Sequence, residues 1–196
     1  MEEKLDLRVR KTYLALTQAL LAMMEEMRFE DIRVSELCDR AMVRKSTFYK
    51  HFADKYELLT FTVRQMQSQL NSQLAAEFRE GNVVEYYTRL AELVLKRMSE
   101  NGALVESTLR SNSFPLILSI LSDQIILDIR GKLKEDALRG ERLPVPPEMM
   151  AAFFVGGVME MLRCWLQKGR RLDEKELIEQ FRTMLDLFYS AASVKE

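Results

Sequence analysis

Residues 32–59 read IRVSELCDRAMVRKSTFYKHFADKYELL, and two short apolar periodicities within them decide the fold. Val34, Leu37, Cys38 and Ala41 fall on one side of two helical turns, and Phe48 and Phe52 lie one turn apart in the segment 45–52. Only a tight turn fits between the two. Lys45, Ser46, Thr47, Tyr49, Lys50 and His51 fill the rest of the second segment, so one edge is apolar and the other is rich in hydrogen-bond donors. Two short helices of this kind, the second turning its donors outward, make a helix-turn-helix that reads DNA. In such a unit Lys and Arg neutralise phosphates, hydroxyls and backbone amides fix the register, and a few side chains reach base edges.

Charge points the same way only when it is read locally. The chain of 196 residues carries a formal charge of -1. Residues 40–55, however, hold Arg40, Arg44, Lys45, Lys50 and Lys55 against the single acid Asp54, a window of +4. A basic element inside a neutral protein is expected where one helix meets phosphates.

The same stretch closely resembles the helix-turn-helix of TetR-type regulators. The most specific part is Ser46-Thr47-Phe48-Tyr49-Lys50-His51-Phe52, followed by Asp54-Lys55 and Leu58-Leu59. The resemblance implies three DNA-binding helices followed by six regulatory ones. It also implies that Lys45, Ser46, Thr47, Tyr49, Lys50 and His51 line the recognition helix, with Arg44 at its start. Lys55 matches a common phosphate contact at the start of the fourth helix, where the helix dipole would add to its effect. Two positions depart from the pattern. Arg33 stands where the family usually has Thr or Ser; it removes a hydroxyl cap worth roughly 1 kcal/mol, while keeping a charge that can contact phosphate. Met42 stands where the family has Gly, and a left-handed side chain there costs on the order of 1 kcal/mol, a cost that a distorted turn would relieve.

Outward from this stretch, helical periodicity dominates and the fold class is all-α with about nine helices. Val9, Tyr13, Leu16, Leu20, Met23 and Met27 form one amphipathic face. Asp54 and Glu57 have capping-box spacing, which predicts a long helix to about Arg79. Gly81-Asn82 interrupts the pattern, and Val83 to Asn101, a short helix around Ala103 to Arg110, and residues 114–139 continue it. Residues 140–147 (GERLPVPP) predict a loop before a helix over 148–168, and Asp173 with Glu176 caps a last helix to about Ala192. The expected division is a DNA-binding domain over 1–53 and a regulatory and dimerisation domain over 54–196.

Residues 149–159 (MMAAFFVGGVM) have no polar side chain, so this helix needs burial on more than one side. A second copy of the chain is the simplest partner, and the expected interface is Met150, Phe153, Phe154, Gly156, Gly157, Ile178, Phe181, Leu185 and Phe188. The paired glycines cost about 2 kcal/mol against alanine, which close approach of another helix would account for. A two-fold homodimer presents two recognition helices and calls for an inverted-repeat, palindromic operator in double-stranded DNA. An apolar pocket among the middle helices, which include Tyr86, Tyr87, Met98 and Phe114, is the family expectation for a small-molecule effector; some relatives answer to a partner protein instead. The 12 methionines favour an adaptable interior.

No run reaches 18 apolar residues, and MEEKLDLRVRK is not a signal peptide, so the expectation is a cytoplasmic protein with no membrane partner. Cys38 and Cys164 have no second ligand at metal spacing and read as buried structural thiols. There is no phosphate loop, no GxSxG and no HExxH, so neither an enzyme nor a cofactor is expected. The competing reading is a protein-interaction module on the same fold that does not bind DNA; Arg33 and Met42 speak for it and the donor set 45–55 against it.

Overall fold

The structure, a computed structural model, describes residues 7–77, 83–138, 145–167 and 173–192; the side chains of 75–77, 83, 132, 136, 167 and 188–192 lie outside that description. The helices are α1 (Leu7–Glu26), α2 (Val34–Arg40), α3 (Lys45–His51), α4 (Lys55–Glu77), α5 (Val83–Glu100), α6 (Gly102–Leu109), α7 (Phe114–Leu138), α8 (Pro147–Gln167) and α9 (Glu174–Ala192), with a 3-10 turn at Phe29–Asp31. Among the described residues there is no strand. The expected break at Gly81-Asn82 lies outside the described residues, as does most of the expected loop at 140–147.

The chain forms two compact units, one of residues 1–66 with 100–117 and the other of 67–99 with 118–196. The division expected after residue 53 therefore falls inside the first unit. Two observations explain the larger first unit. Leu58 and Leu59 of α4 are buried, together with Leu16, Leu20, Phe29, Ile32, Leu37 and Phe48. Helix α6 and the turn after it are tied to the chain ahead of α2: Ser107 Oγ donates to the Met27 carbonyl at 3.2 Å, and Glu30 Oε1 accepts from Ser111 Oγ at 2.7 Å and from the Ser113 amide at 3.0 Å. These residues lie about 80 positions apart, so no local pattern reveals the pairing.

The second unit centres on Tyr87, Ile129, Leu133, Met150, Ala151, Phe154, Val155, Phe181 and Leu185. Helix α8 is also long and apolar enough, by length and composition, to cross a membrane. Its buried face belongs to this core, a placement the core helix of a soluble protein shares. Of the two cysteines, Cys38 is buried, and burial pushes its thiol pKa up. Cys164 is only half-buried, with Sγ 3.4 Å from Glu160 Oε1, so the expectation of two buried thiols holds for one.

Candidate DNA interface and effector cavity

The turn between α2 and α3 sets the position of α3. The Met42 amide donates to the Asp39 carbonyl at 3.1 Å and the Val43 amide to the Cys38 carbonyl at 2.9 Å. This pair of bonds is the Schellman ending of a helix, in which the residue after the cap turns left-handed. Met42 is that residue, with φ of 54° and a side chain left in solvent. The expected left-handed methionine is therefore present, and the turn keeps its regular hydrogen bonds around it. At the other end of α2, Arg33 caps with no side-chain hydrogen bond and pairs loosely with Glu36 at 3.9 Å.

Helix α3 divides as its sequence implies. Phe48 is fully buried and Phe52, just beyond the helix, nearly so, while Arg44, Lys45, Ser46, Tyr49 and Lys50 are exposed and Thr47 is half-buried. The helix is anchored by rings from α1 and α4. Tyr13 meets Phe52 at 5.2 Å and Phe61 at 4.9 Å between centroids, and Phe48 and Phe52 are 5.8 Å apart. Burying Phe48 is worth about 3–5 kcal/mol against alanine, so the core edge sets the position of the donor edge. His51, half-buried, packs edge-on against Tyr13 at 5.2 Å, which favours a packing role at the end of the helix. Arg40 is held by Glu26 through two bonds of 2.6 Å and ties α2 to α1.

Lys55 departs from the expectation. Its ammonium has three protons, and they go to the carbonyls of Phe29 at 2.9 Å, Glu30 at 2.7 Å and Ile32 at 2.9 Å. The charge also sits 4.9 Å from the centre of the Phe29 ring. Burial pushes the Lys55 pKa down, against the opposing pull of Glu30 and Asp31. With every donor used inside the unit, Lys55 is a staple for the 3-10 turn rather than a phosphate contact. The neighbouring cap is as expected: Asp54 Oδ1 accepts from the amides of Tyr56 at 2.8 Å and Glu57 at 2.9 Å, and Glu57 reaches back to the Ala53 amide at 2.6 Å. Sequence reasoning passed over Arg10 and Lys11, which are exposed on α1 within a turn of Tyr13, the residue that touches His51. Their signal was a basic pair one turn ahead of an aromatic on the α1 face.

The expected dimer residues separate into two faces of the second unit. Met150, Phe154, Phe181 and Leu185 are buried in its core and Ile178 is half-buried, so their apolar character is accounted for within one chain. Phe153 is 82% exposed, and Gly156 and Gly157 are exposed as well. Met149 on α8 and Met184 and Leu187 on α9 share this exposure, and they were not in the expected set. The side chain of Phe188 lies outside the described residues.

The second unit also holds a cavity of about 170 Å³. Its wall is almost wholly aliphatic and aromatic, with Tyr86, Tyr87, Phe154 and Phe181 among the lining residues. Among the described residues, the other polar side chains on it are Gln67, Asn71 and Asp128, and no Lys, Arg or His lines it. Burial, and then the charge of Asp128, push the Tyr86 pKa up.

The sequence profile of the family described as the transcriptional regulator C-terminal region, TetR type, matches residues 86–187, just over half of the chain. A TetR-family regulator from Syntrophomonas wolfei superposes with a TM-score of 0.70 at 17% identity, covering 95% of this chain and 99% of that one. A TetR regulator from Streptococcus agalactiae does so at 0.61 with 22% identity, covering 91% and 95%. Thermus thermophilus FadR, a TetR-family repressor in complex with lauroyl-CoA, gives 0.66 at 16% identity, covering 94% and 96%. No curated protein matches the sequence. The profile match over the second half, together with the helix order throughout, shows that the chain belongs to the TetR family of transcriptional regulators.

Proposed function

We propose that this regulator is a cytoplasmic repressor that binds an inverted-repeat operator as a homodimer and is controlled by a small ligand in the cavity of its second unit. The observation that carries the reading is α3: an exposed edge of Arg44, Lys45, Ser46, Tyr49 and Lys50 backed by fully buried Phe48. That edge matches what a recognition helix needs in a major groove. Thr47 and His51 border it, Arg33 stands at the start of α2, and Arg10 and Lys11 extend the basic surface along α1. Two copies must set their recognition helices about 34–36 Å apart to meet successive grooves.

The exposed face of α8 and α9 supports the dimer. Met149, Phe153 and Gly156 follow one helical stripe, and Met184 and Leu187 another. A Cβ placed on Gly156 or Gly157 would meet nothing within 4 Å, so nothing inside the chain requires glycine there. A helix of a second copy, approaching closely, supplies that requirement. The ligand reading rests on the cavity and on the FadR relative that holds lauroyl-CoA. A ligand acts on DNA binding only through its different affinity for the DNA-competent and DNA-incompetent states.

The reading without DNA drew its support from Arg33 and Met42, and the regular bonding around Met42 weakens that support. The experiment is a titration of the purified protein against the DNA upstream of its own gene and against a scrambled duplex. Preferential binding at two chains per duplex is the expected result. A folded dimer with no preference at any salt concentration would replace the DNA reading with a protein-partner one.

A further inference from the structure

The ligand's chemistry is written in what the cavity wall lacks. Gln67 is 9% exposed and lines the cavity; its Nε2 donates to the Leu121 carbonyl at 3.2 Å, which fixes the amide, and its Oε1 has no hydrogen-bond partner. A buried acceptor left without a donor costs about 1–3 kcal/mol, so a ligand that brings a donor recovers it. Asp128 lines the same cavity, accepts from Gln124 Nε2 at 3.1 Å and forms no ion pair among the described residues. Its charge reaches the Tyr86 hydroxyl, whose pKa it helps to raise. Tyr86 and Tyr87 offer ring surface, packed edge to face at 5.2 Å. An unpartnered acceptor, a carboxylate and ring faces all favour positive charge and N–H donors. They repel a carboxylate or a phosphate.

We propose that the cavity takes a protonated organic amine with a small apolar body. A volume of about 170 Å³ suits one aromatic ring with a short chain, since a cavity on the order of 150 Å³ accommodates benzene. The ammonium group pairs with Asp128 and a Tyr86 or Tyr87 ring face, one N–H reaches Gln67 Oε1, and the ring occupies the aliphatic remainder. This rests on the effector reading above and narrows it: the bound acyl-CoA of the Thermus FadR, an anionic ligand, is a poor match for this wall.

The test is calorimetric titration of the full-length protein, without DNA, against four probes at neutral pH: 2-phenylethylamine, 2-phenylethanol, 3-phenylpropanoate and lauroyl-CoA. The amine should bind about tenfold or more tightly than the alcohol, with no detectable binding of either anion. Asp128→Asn should erase the amine's advantage over the alcohol, and Gln67→Met should weaken the amine more than the alcohol. Binding of an anion as tight as the amine, equal affinities for amine and alcohol, or no binding by any probe would overturn the proposal. The wild-type comparison alone decides it should a variant fail to fold. Because DNA is absent from this titration, its outcome is independent of the effector reading; a separate operator-binding assay in which the same amine fails to release DNA sinks the effector reading and leaves this one standing.

Discussion

Replacing Met42 isolates the strain in the turn ahead of α3. The residue sits at φ 54° with 94% of its surface in solvent, so its side chain contributes no packing that a substitution could lose. A left-handed conformation costs a non-glycine residue about 1–2 kcal/mol, and glycine removes that cost. Glycine also widens the unfolded ensemble by about 0.4–1 kcal/mol, which leaves Met42→Gly more stable by about 0.5–1 kcal/mol. For a chain of this size that corresponds to a rise in Tm of about 1–4 °C. Met42→Ala keeps both the Cβ and the strain, so it should stay within about 0.5 kcal/mol of the wild type. Urea unfolding at fixed protomer concentration is the assay, with an unchanged slope as the sign that only stability has moved. Operator affinity should be the same in both variants, because the bonds from Met42 and Val43 already hold the turn in the shape glycine prefers. Alanine stabilising as much as glycine, or glycine destabilising, would refute the strain argument.

Arg33→Ser should stabilise the protein by about 1 kcal/mol in the same unfolding assay, since α2 now begins without a side-chain cap. Glu30 gives a pH dependence. Burial raises its pKa, but bonds from Ser111, its own backbone, Ser113 and Asn112 outweigh that and hold the folded pKa below the ordinary 4.5. The carboxylate's stabilisation is thus fully present above the unfolded pKa and is lost as pH falls through the folded one, so the stability gap between wild type and Glu30→Gln should be constant near neutrality and shrink below about pH 4.5; a gap that does not change in acid would remove Glu30 from that role. Phe153→Glu should turn the proposed dimer into a folded monomer by analytical ultracentrifugation with an unchanged helical circular dichroism spectrum, because Phe153 is exposed and no core contact is lost. A variant that remains dimeric would place the interface elsewhere.

Local patterns made most of the first unit legible. The ends of α2 and α3 follow from Val34, Leu37 and Cys38 and from Phe48, and the left-handed state of Met42 follows from its place after a helix end. What sequence could not supply was the destination of long side chains. Lys55 looks like a phosphate contact by position, but its carbonyl partners come from 23 to 26 residues earlier. His51 falls on the donor edge by its spacing, but its ring packs against Tyr13, 38 positions earlier in the sequence. The expected dimer residues divide between buried and exposed positions for a related reason. In α8 and α9 the strongest apolar periodicity marks the face that the unit's own core claims, and Phe153 and Phe154, adjacent in sequence, end on opposite sides of that boundary.

The claim that α3 meets DNA phosphates is tested most directly by the salt dependence of operator binding. Lys45 and Lys50 are exposed on α3, and two copies would bring four such charges to one operator. Each phosphate neutralised contributes about 0.9 to the slope of log affinity against log salt, so Lys45→Ala/Lys50→Ala should flatten the wild-type slope by about 3.6 while leaving unfolding unchanged. An operator bound with the same slope by both proteins would contradict the assignment of α3 as the helix that meets the DNA backbone.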